Sequence, residues 1–114
     1  MKRERRAPVL FIGHGTPMNT IEDNRWTEEW RELGELLVGI EGIIMLSAHW
    51  YTHGTLITEE AHPEMIYDMY GFPEELYNVN YPAKNPAHIR DITLKSLASY
   101  AHLNSEWGYD HGNY

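Results

Sequence analysis

The chain of 114 residues contains no cysteine, which excludes a disulfide framework and every thiolate metal site. Any metal held by this sequence must sit on histidine nitrogen or carboxylate oxygen, donors that suit borderline and harder ions. Positive charge is scarce as well: nine Lys and Arg stand against 17 Asp and Glu, a formal net charge of −8. A surface of that averaged sign repels a phosphate backbone or an anionic bilayer, so small molecules or other proteins are the expected partners, with no nucleic acid and no membrane. Long apolar runs are missing too. The basic start MKRERRAP is followed by only VLFIG before the first glycine-flanked histidine, too short for the apolar region of a signal peptide and far too short to span a bilayer. A cytoplasmic protein is expected. No GxSxG nucleophile elbow surrounds Ser47, which speaks against a serine hydrolase, and no GxGxxG or P-loop lysine pattern occurs.

What remains is a hydrophobic content of 42% in a length that suits one modest domain, or part of one. The run VLFI at residues 9–12 is short, apolar and stops at glycine, as a buried strand would. From residue 24 to 37, Trp26, Trp30, Leu33, Leu36 and Leu37 recur at helical spacing between charged residues, with Asp23 or Asn24 as N-cap and Gly39 and Gly42 where the chain turns back. IIML at residues 43–46 reads as a second strand, and a right-handed crossover makes it parallel to the first. Both runs then end at one sheet edge, where open α/β folds bind ligands, so His14 and His49 become neighbours. TLIT at residues 55–58 is a candidate third strand. The Pro-, Gly- and Tyr-rich stretch that follows reads as a long ordered loop. A second helix is expected with Asn85 as N-cap, Pro86 as its first residue, and Ile89, Ile92, Leu97 and Tyr100 on its buried face. A short extended piece is expected near residues 103–107.

The candidate site residues follow from this layout. His14 lies in GHG, where glycine allows close approach of a ligand, and a turn that merely shows the ring to water is the alternative. His49 lies in SAHW, where a backbone-bonded, partly buried imidazole is the alternative. Two imidazoles at one sheet mouth make a partial metal site for zinc or iron. His111 lies in DHG; its neighbour Asp110 need not touch it, because adjacent residues of an extended chain point to opposite faces. His62, held extended by Pro63, is a candidate to face the site from the long loop. His53, His88 and His102 lack glycine-flanked or strand-end placement.

GHGTPMNTIEDN, LSAHW, HPEMIYDMYGFPEELYNVNYPA and WGYDHGNY, taken in order and spacing, resemble the N-terminal half of the class III extradiol ring-cleavage dioxygenases, in particular the DODA-type branch. The resemblance runs from about Pro8 to the last residue. It implies an α/β fold with three layers, α/β/α, around a mostly parallel or mixed sheet, of which residues 1–114 form a single, incomplete N-terminal portion. It implies a non-haem metal, Fe(II) or zinc in its place, with His14 and His49 as metal ligands and His111 as a catalytic group for hydrogen bonding or proton transfer. The implied reaction opens the ring of an aromatic diol with O2. In the family the remaining metal ligand and a further histidine come from the C-terminal half. A fragment, a split-gene product, or one subunit completed by a complementary chain or by self-association is therefore expected. Two rivals stand beside this reading: a non-catalytic module that pairs with a partner chain, and a tetrapyrrole metal chelatase, which GHGT after a strand also resembles.

Overall fold

The computed structural model describes residues 6–114, so most of the basic start lies outside the described residues. The chain divides into two compact units, with the boundary between Glu41 and Gly42.

In the first unit, Gly15 turns the chain at φ +67°, an angle that favours glycine. Thr16 then caps a short 3-10 turn, Pro17–Thr20, by accepting from the Met18 N–H. Helix α1, Arg25–Leu36, starts where expected. Asn24 accepts from the Trp26 and Thr27 N–H groups while Thr27 Oγ1 accepts from the Asn24 N–H, a reciprocal capping box. Thr27 is the only described residue of this unit that is fully buried.

The second unit is built on a parallel pair, β1 (Thr55–Thr58) and β2 (Ala101–Asn104), in the register Thr55 with Ala101 through Thr58 with Asn104. A parallel pair needs a crossover. Here it contains α2 (Glu74–Tyr77) and α3 (Ala87–Leu97), followed by a 3-10 turn at Ala98–Tyr100. Leu76 of α2 and Ala101 of β2 are the buried apolar residues. Beyond β2 the chain returns alongside residues 64–66: the Tyr109 N–H donates to Glu64 O at 2.8 Å and the Ile66 N–H to Tyr109 O at 2.7 Å, with a parallel bridge between Met65 and Tyr109. Gly108 makes this possible, because a Cβ there would fall 2.0 Å from Glu64 O.

Several expectations need correction. Neither residues 9–12 nor residues 43–46 are hydrogen-bonded into a strand, and Val9, Phe11 and Leu46 are nearly fully exposed. An apolar run becomes a strand only when a neighbouring strand takes up its N–H and C=O groups. Among the described residues the sheet has two strands, and the expected three-layer arrangement is represented only by this small parallel sheet with helix α3 against it. Helix α3 begins one residue later than predicted, with Pro86 at the cap. Asn85 instead ties down the end of β1, donating from Nδ2 to Thr58 O at 2.7 Å and Glu60 O at 3.0 Å. The predicted buried face of α3 is open: Ile92 and Tyr100 are exposed, and only Ile89 is close-packed, its side chain filling the space beside Gly42.

Candidate metal centre

His14 belongs to the first unit. Its ring is half-buried, and its carbonyl accepts from Asn19 Nδ2 at 2.9 Å, while Asn19 Oδ1 accepts in turn from Asn24 Nδ2 at 2.8 Å. The helix cap and the histidine loop are thus one hydrogen-bonded assembly, and Asn24 serves both.

In the second unit the segments around His49 and His111 are brought together by Asp110, which is fully buried. Its Oδ1 accepts from Ser47 Oγ at 2.6 Å, from the Gly112 N–H at 2.9 Å and from Asn113 Nδ2 at 3.1 Å, and its Oδ2 accepts from Trp107 Nε1 at 2.9 Å. Ser47 Oγ also accepts from the His49 N–H at 3.2 Å, so the SAHW turn and the DHG turn share one carboxylate. Every strong acceptor site on a buried carboxylate that is filled this way lowers the cost of burying the charge. The result is a pair of imidazoles with ring centroids 3.7 Å apart and planes tilted by 33°. Gly112 leaves room for this contact, since a Cβ on it would meet Ser47 Oγ at 2.5 Å and His49 Cδ2 at 3.1 Å.

A carboxylate 43 positions before His111 reaches its ring. Asp68 Oδ1 accepts from the His111 N–H at 2.9 Å, and Asp68 Oδ2 lies 2.8 Å from His111 Nδ1, oblique to the ring N–H direction. Burial works to raise the Asp68 carboxyl, but the bonds from the His111 backbone and ring and from its own backbone outweigh it, leaving the group below its ordinary value. Behind it lies an aromatic cluster of Tyr67, Tyr77 and Tyr114, with ring centroids 6.2 and 6.3 Å from Tyr67. Tyr114 donates to Ile66 O at 2.8 Å. Burial, then the charge of Asp68, with Tyr67 and Asp110 adding to it, pushes the Tyr114 phenol up to about 12. Tyr67 and Tyr77 have their hydroxyls bonded to main chain, at Val79 O and Met69 O, which fits packing; Tyr70 is almost fully exposed.

The donor set suits a metal. His49 and His111 offer ring nitrogens within 4.8 Å of each other, and two nitrogens bound at about 2.1 Å to one ion can be at most ~4.2 Å apart, so a small ring movement suffices. A carboxylate on the second nitrogen of an imidazole is a common support around metal sites. His62 is elsewhere. It is exposed and lines a cavity of about 410 Å³ with Glu60, Glu64 and Trp107, in which neither His49 nor His111 takes part. Asp68, Asp110 and Ser47 escaped the sequence reading. Asp110 was visible as part of DHG, but nothing local to YDMYGFP marks Asp68 as a partner of His111.

No helix among the described residues is long and apolar enough to cross a membrane. No family model matches the chain. Among individual proteins, it is 42% identical over 111 residues to a 4,5-DOPA dioxygenase extradiol of Escherichia coli, an alignment that covers 96% of this chain and 41% of that protein. It is 33% identical over 112 residues to a 4,5-DOPA dioxygenase extradiol of Beta vulgaris, covering 91% of this chain and again 41% of the relative. A dioxygenase of Hapsidospora irregularis, tasH, is 50% identical over 89 residues, covering 68% of this chain and 28% of its own length. With motifs, histidine pair and alignments in agreement, the chain belongs to the DODA-type 4,5-DOPA extradiol dioxygenase family, of which it spans about 41% of the length of the first two relatives.

Proposed function

We propose that residues 1–114 form one portion of the catalytic domain of a cytoplasmic, metal-dependent extradiol dioxygenase, with His14 and His49 as metal ligands and His111 as the proton-transfer residue. The observation that carries this reading is the close pairing of His49 with His111, backed by Asp68, in a chain 42% identical to a bacterial extradiol dioxygenase. The assigned ion is Fe(II), with zinc as its substitute, since imidazole suits both. When bound, such an ion acidifies the hydroxyls of an aromatic diol and gives O2 a spin-allowed route to react.

The chain's own residues do the rest. His49 is presented on a turn held by Ser47 and Asp110, so its backbone is fixed where the ring is needed before any ligand arrives. His111 stands beside it on a second turn anchored to the same carboxylate. Imidazole is the side chain that both accepts and releases protons near neutral pH, which fits it to take a proton from a diol hydroxyl and return it to the opened product. The relatives are dioxygenases, and this favours ring opening over the tetrapyrrole chelatase reading.

A second reading concerns what completes the site. Two imidazole ligands from this chain leave a three-ligand facial metal site one short, and the resemblance to the family puts the remaining ligand in the C-terminal half. The exposed apolar runs at residues 9–12 and 43–46 favour a module that works with a complementary chain segment. The ligand assignment is tested by anaerobic reconstitution with Fe(II). The wild-type chain is expected to bind the ion at least about tenfold more tightly than His14→Ala or His49→Ala, since losing even a supporting partner costs that much. Equal binding by all three chains would remove the assignment.

A further inference from the structure

We propose that Tyr70 is a specificity-determining residue, a ring on a braced turn that stacks on the ring of the aromatic diol. The inference rests on the function proposed above and adds which side chain recognises the carbon ring of the substrate rather than its hydroxyls.

The placement comes from alternation along residues 66–70, a stretch with neither helix nor turn. In an extended chain neighbouring side chains leave on opposite sides, and those two apart share a side. Tyr67 and Met69 both reach Tyr114: the two tyrosine ring centroids are 6.3 Å apart, and Met69 Sδ lies 4.0 Å from the Tyr114 hydroxyl. The odd positions thus face the packed aromatic cluster. Asp68, between them, meets His111 instead, accepting from its main-chain N–H at 2.9 Å. Tyr70 follows Asp68 on that side, with its Cα at most about 7 Å from the Cα of Asp68.

The base under this ring is fixed at both ends. Before it, Asp68 is tied to His111. After it, Gly71 turns the chain at φ +77°, the angle that the third residue of a type II turn requires. The Tyr77 hydroxyl spans that turn, donating to Met69 O at 3.3 Å and accepting from the Phe72 N–H at 3.4 Å. Tyr77 closes α2, which is anchored by the fully buried Leu76. Tyr70 is nevertheless 92% exposed. Tyr67, Tyr77 and Tyr114 donate their hydroxyls to main-chain carbonyls and so hold the loop, a bonding in which Tyr70 takes no part. An aromatic side chain on a rigid base loses little freedom when a flat ligand arrives, so more of the contact remains as affinity. What it offers is a π face, which complements a second ring and has no counterpart in an aliphatic chelator that holds the same ion.

The test uses the 114-residue chain loaded with zinc, which avoids oxidation of the probe, and calorimetric titration with two chelators: 4-nitrocatechol, which has a ring, and acetohydroxamate, which has none. Tyr70→Ala is expected to weaken 4-nitrocatechol binding about threefold to tenfold, the range of one aromatic pair contact, and to leave acetohydroxamate binding as in the wild type. Tyr70→Phe keeps the π face and should keep the wild-type affinity for both. Because the side chain is exposed, all three chains should fold alike and hold zinc alike. Equal 4-nitrocatechol binding by the wild type and Tyr70→Ala overturns the inference. So does an equal loss of both chelators in Tyr70→Ala, a Tyr70→Phe as weak as Tyr70→Ala, or a wild-type chain that does not bind 4-nitrocatechol. Zinc uptake with no effect of Tyr70 sinks the role of Tyr70 and leaves the metal assignment standing. A chain that takes up no zinc sinks the metal assignment; the 4-nitrocatechol titration is then made on the metal-free chains, where the absence of a difference between wild type and Tyr70→Ala overturns the role of Tyr70 as well.

Discussion

A single buried carboxylate organises the second unit more than any apolar residue does. Asp110 accepts four hydrogen bonds from Ser47, Trp107, Gly112 and Asn113, and both His49 and His111 depend on turns attached to it. Removing it leaves several buried donors without an acceptor, each costing more than an exposed one because water cannot replace the partner. Asp110→Ala is expected to lower the unfolding free energy by about 3 kcal/mol or more, read from denaturant curves of the two chains. A loss well below that would mean the two turns keep their shape without the shared carboxylate. The contrast with Asp68 is instructive at the same scale. Asp68 touches one residue twice, so its substitution should alter the chemistry of His111 more than the stability of the fold.

Elements are legible to different degrees, and the reason is where their hydrogen bonds end. Helix α1 could be placed within a residue because its pattern and its cap are local: Asn24, Thr27 and the spacing of Trp26, Trp30 and Leu33 all lie within one stretch. Strand β1 was also found from its own composition. The runs at residues 9–12 and 43–46 have the same strand-like composition and form no ladder, because no neighbouring strand among the described residues takes up their N–H and C=O groups. Asn85 looked like a helix cap and instead binds the carbonyls of Thr58 and Glu60, a choice made by a strand 25 or more positions away. Element ends also carry strain. Ala98 closes α3 at φ +47° and ψ −122°, a region suited to glycine. Ala98→Gly is expected to raise stability by about 1 kcal/mol, the relief of strain less the added freedom of the unfolded chain. A thermal melt with no gain would show that the turn before β2 tolerates the alanine without cost.

On the scale of the whole molecule, the two apolar runs and the open face of α3 point to the same deficit. A run such as VLFI is kept out of water in a folded sheet by contact with neighbours, and burying each large side chain contributes about 1.5–3 kcal/mol. With Val9, Phe11, Ile44 and Leu46 exposed, much of that contribution is not collected among the described residues. The chain spans about 41% of two of its relatives, and under the function proposed above a complementary chain segment would cover these runs. Mixing the chain with such a segment is expected to give a stoichiometric complex in sedimentation and a rise in melting temperature. Replacing Phe11 and Ile44 by serine should weaken it. A chain that stays monomeric and unchanged in stability on mixing would argue for a self-sufficient unit.

The sequence by itself determined what is carried by neighbours in the chain: the absence of thiolate chemistry, the capped helix after the GHGTP loop, the strand TLIT, and the histidines placed at GHG, SAHW and DHG. These depend on composition and on interactions over a few residues, which no distant contact has to supply. Only the tertiary structure decided how those histidines are equipped. It set His49 and His111 ring to ring, gave Asp110 to the two turns, and brought Asp68 to His111 across 43 positions. Such partnerships come from the parallel bridge between residues 64–66 and Tyr109 and from the close backbone approach at Gly108, contacts between segments that carry no mark of one another in their own residues.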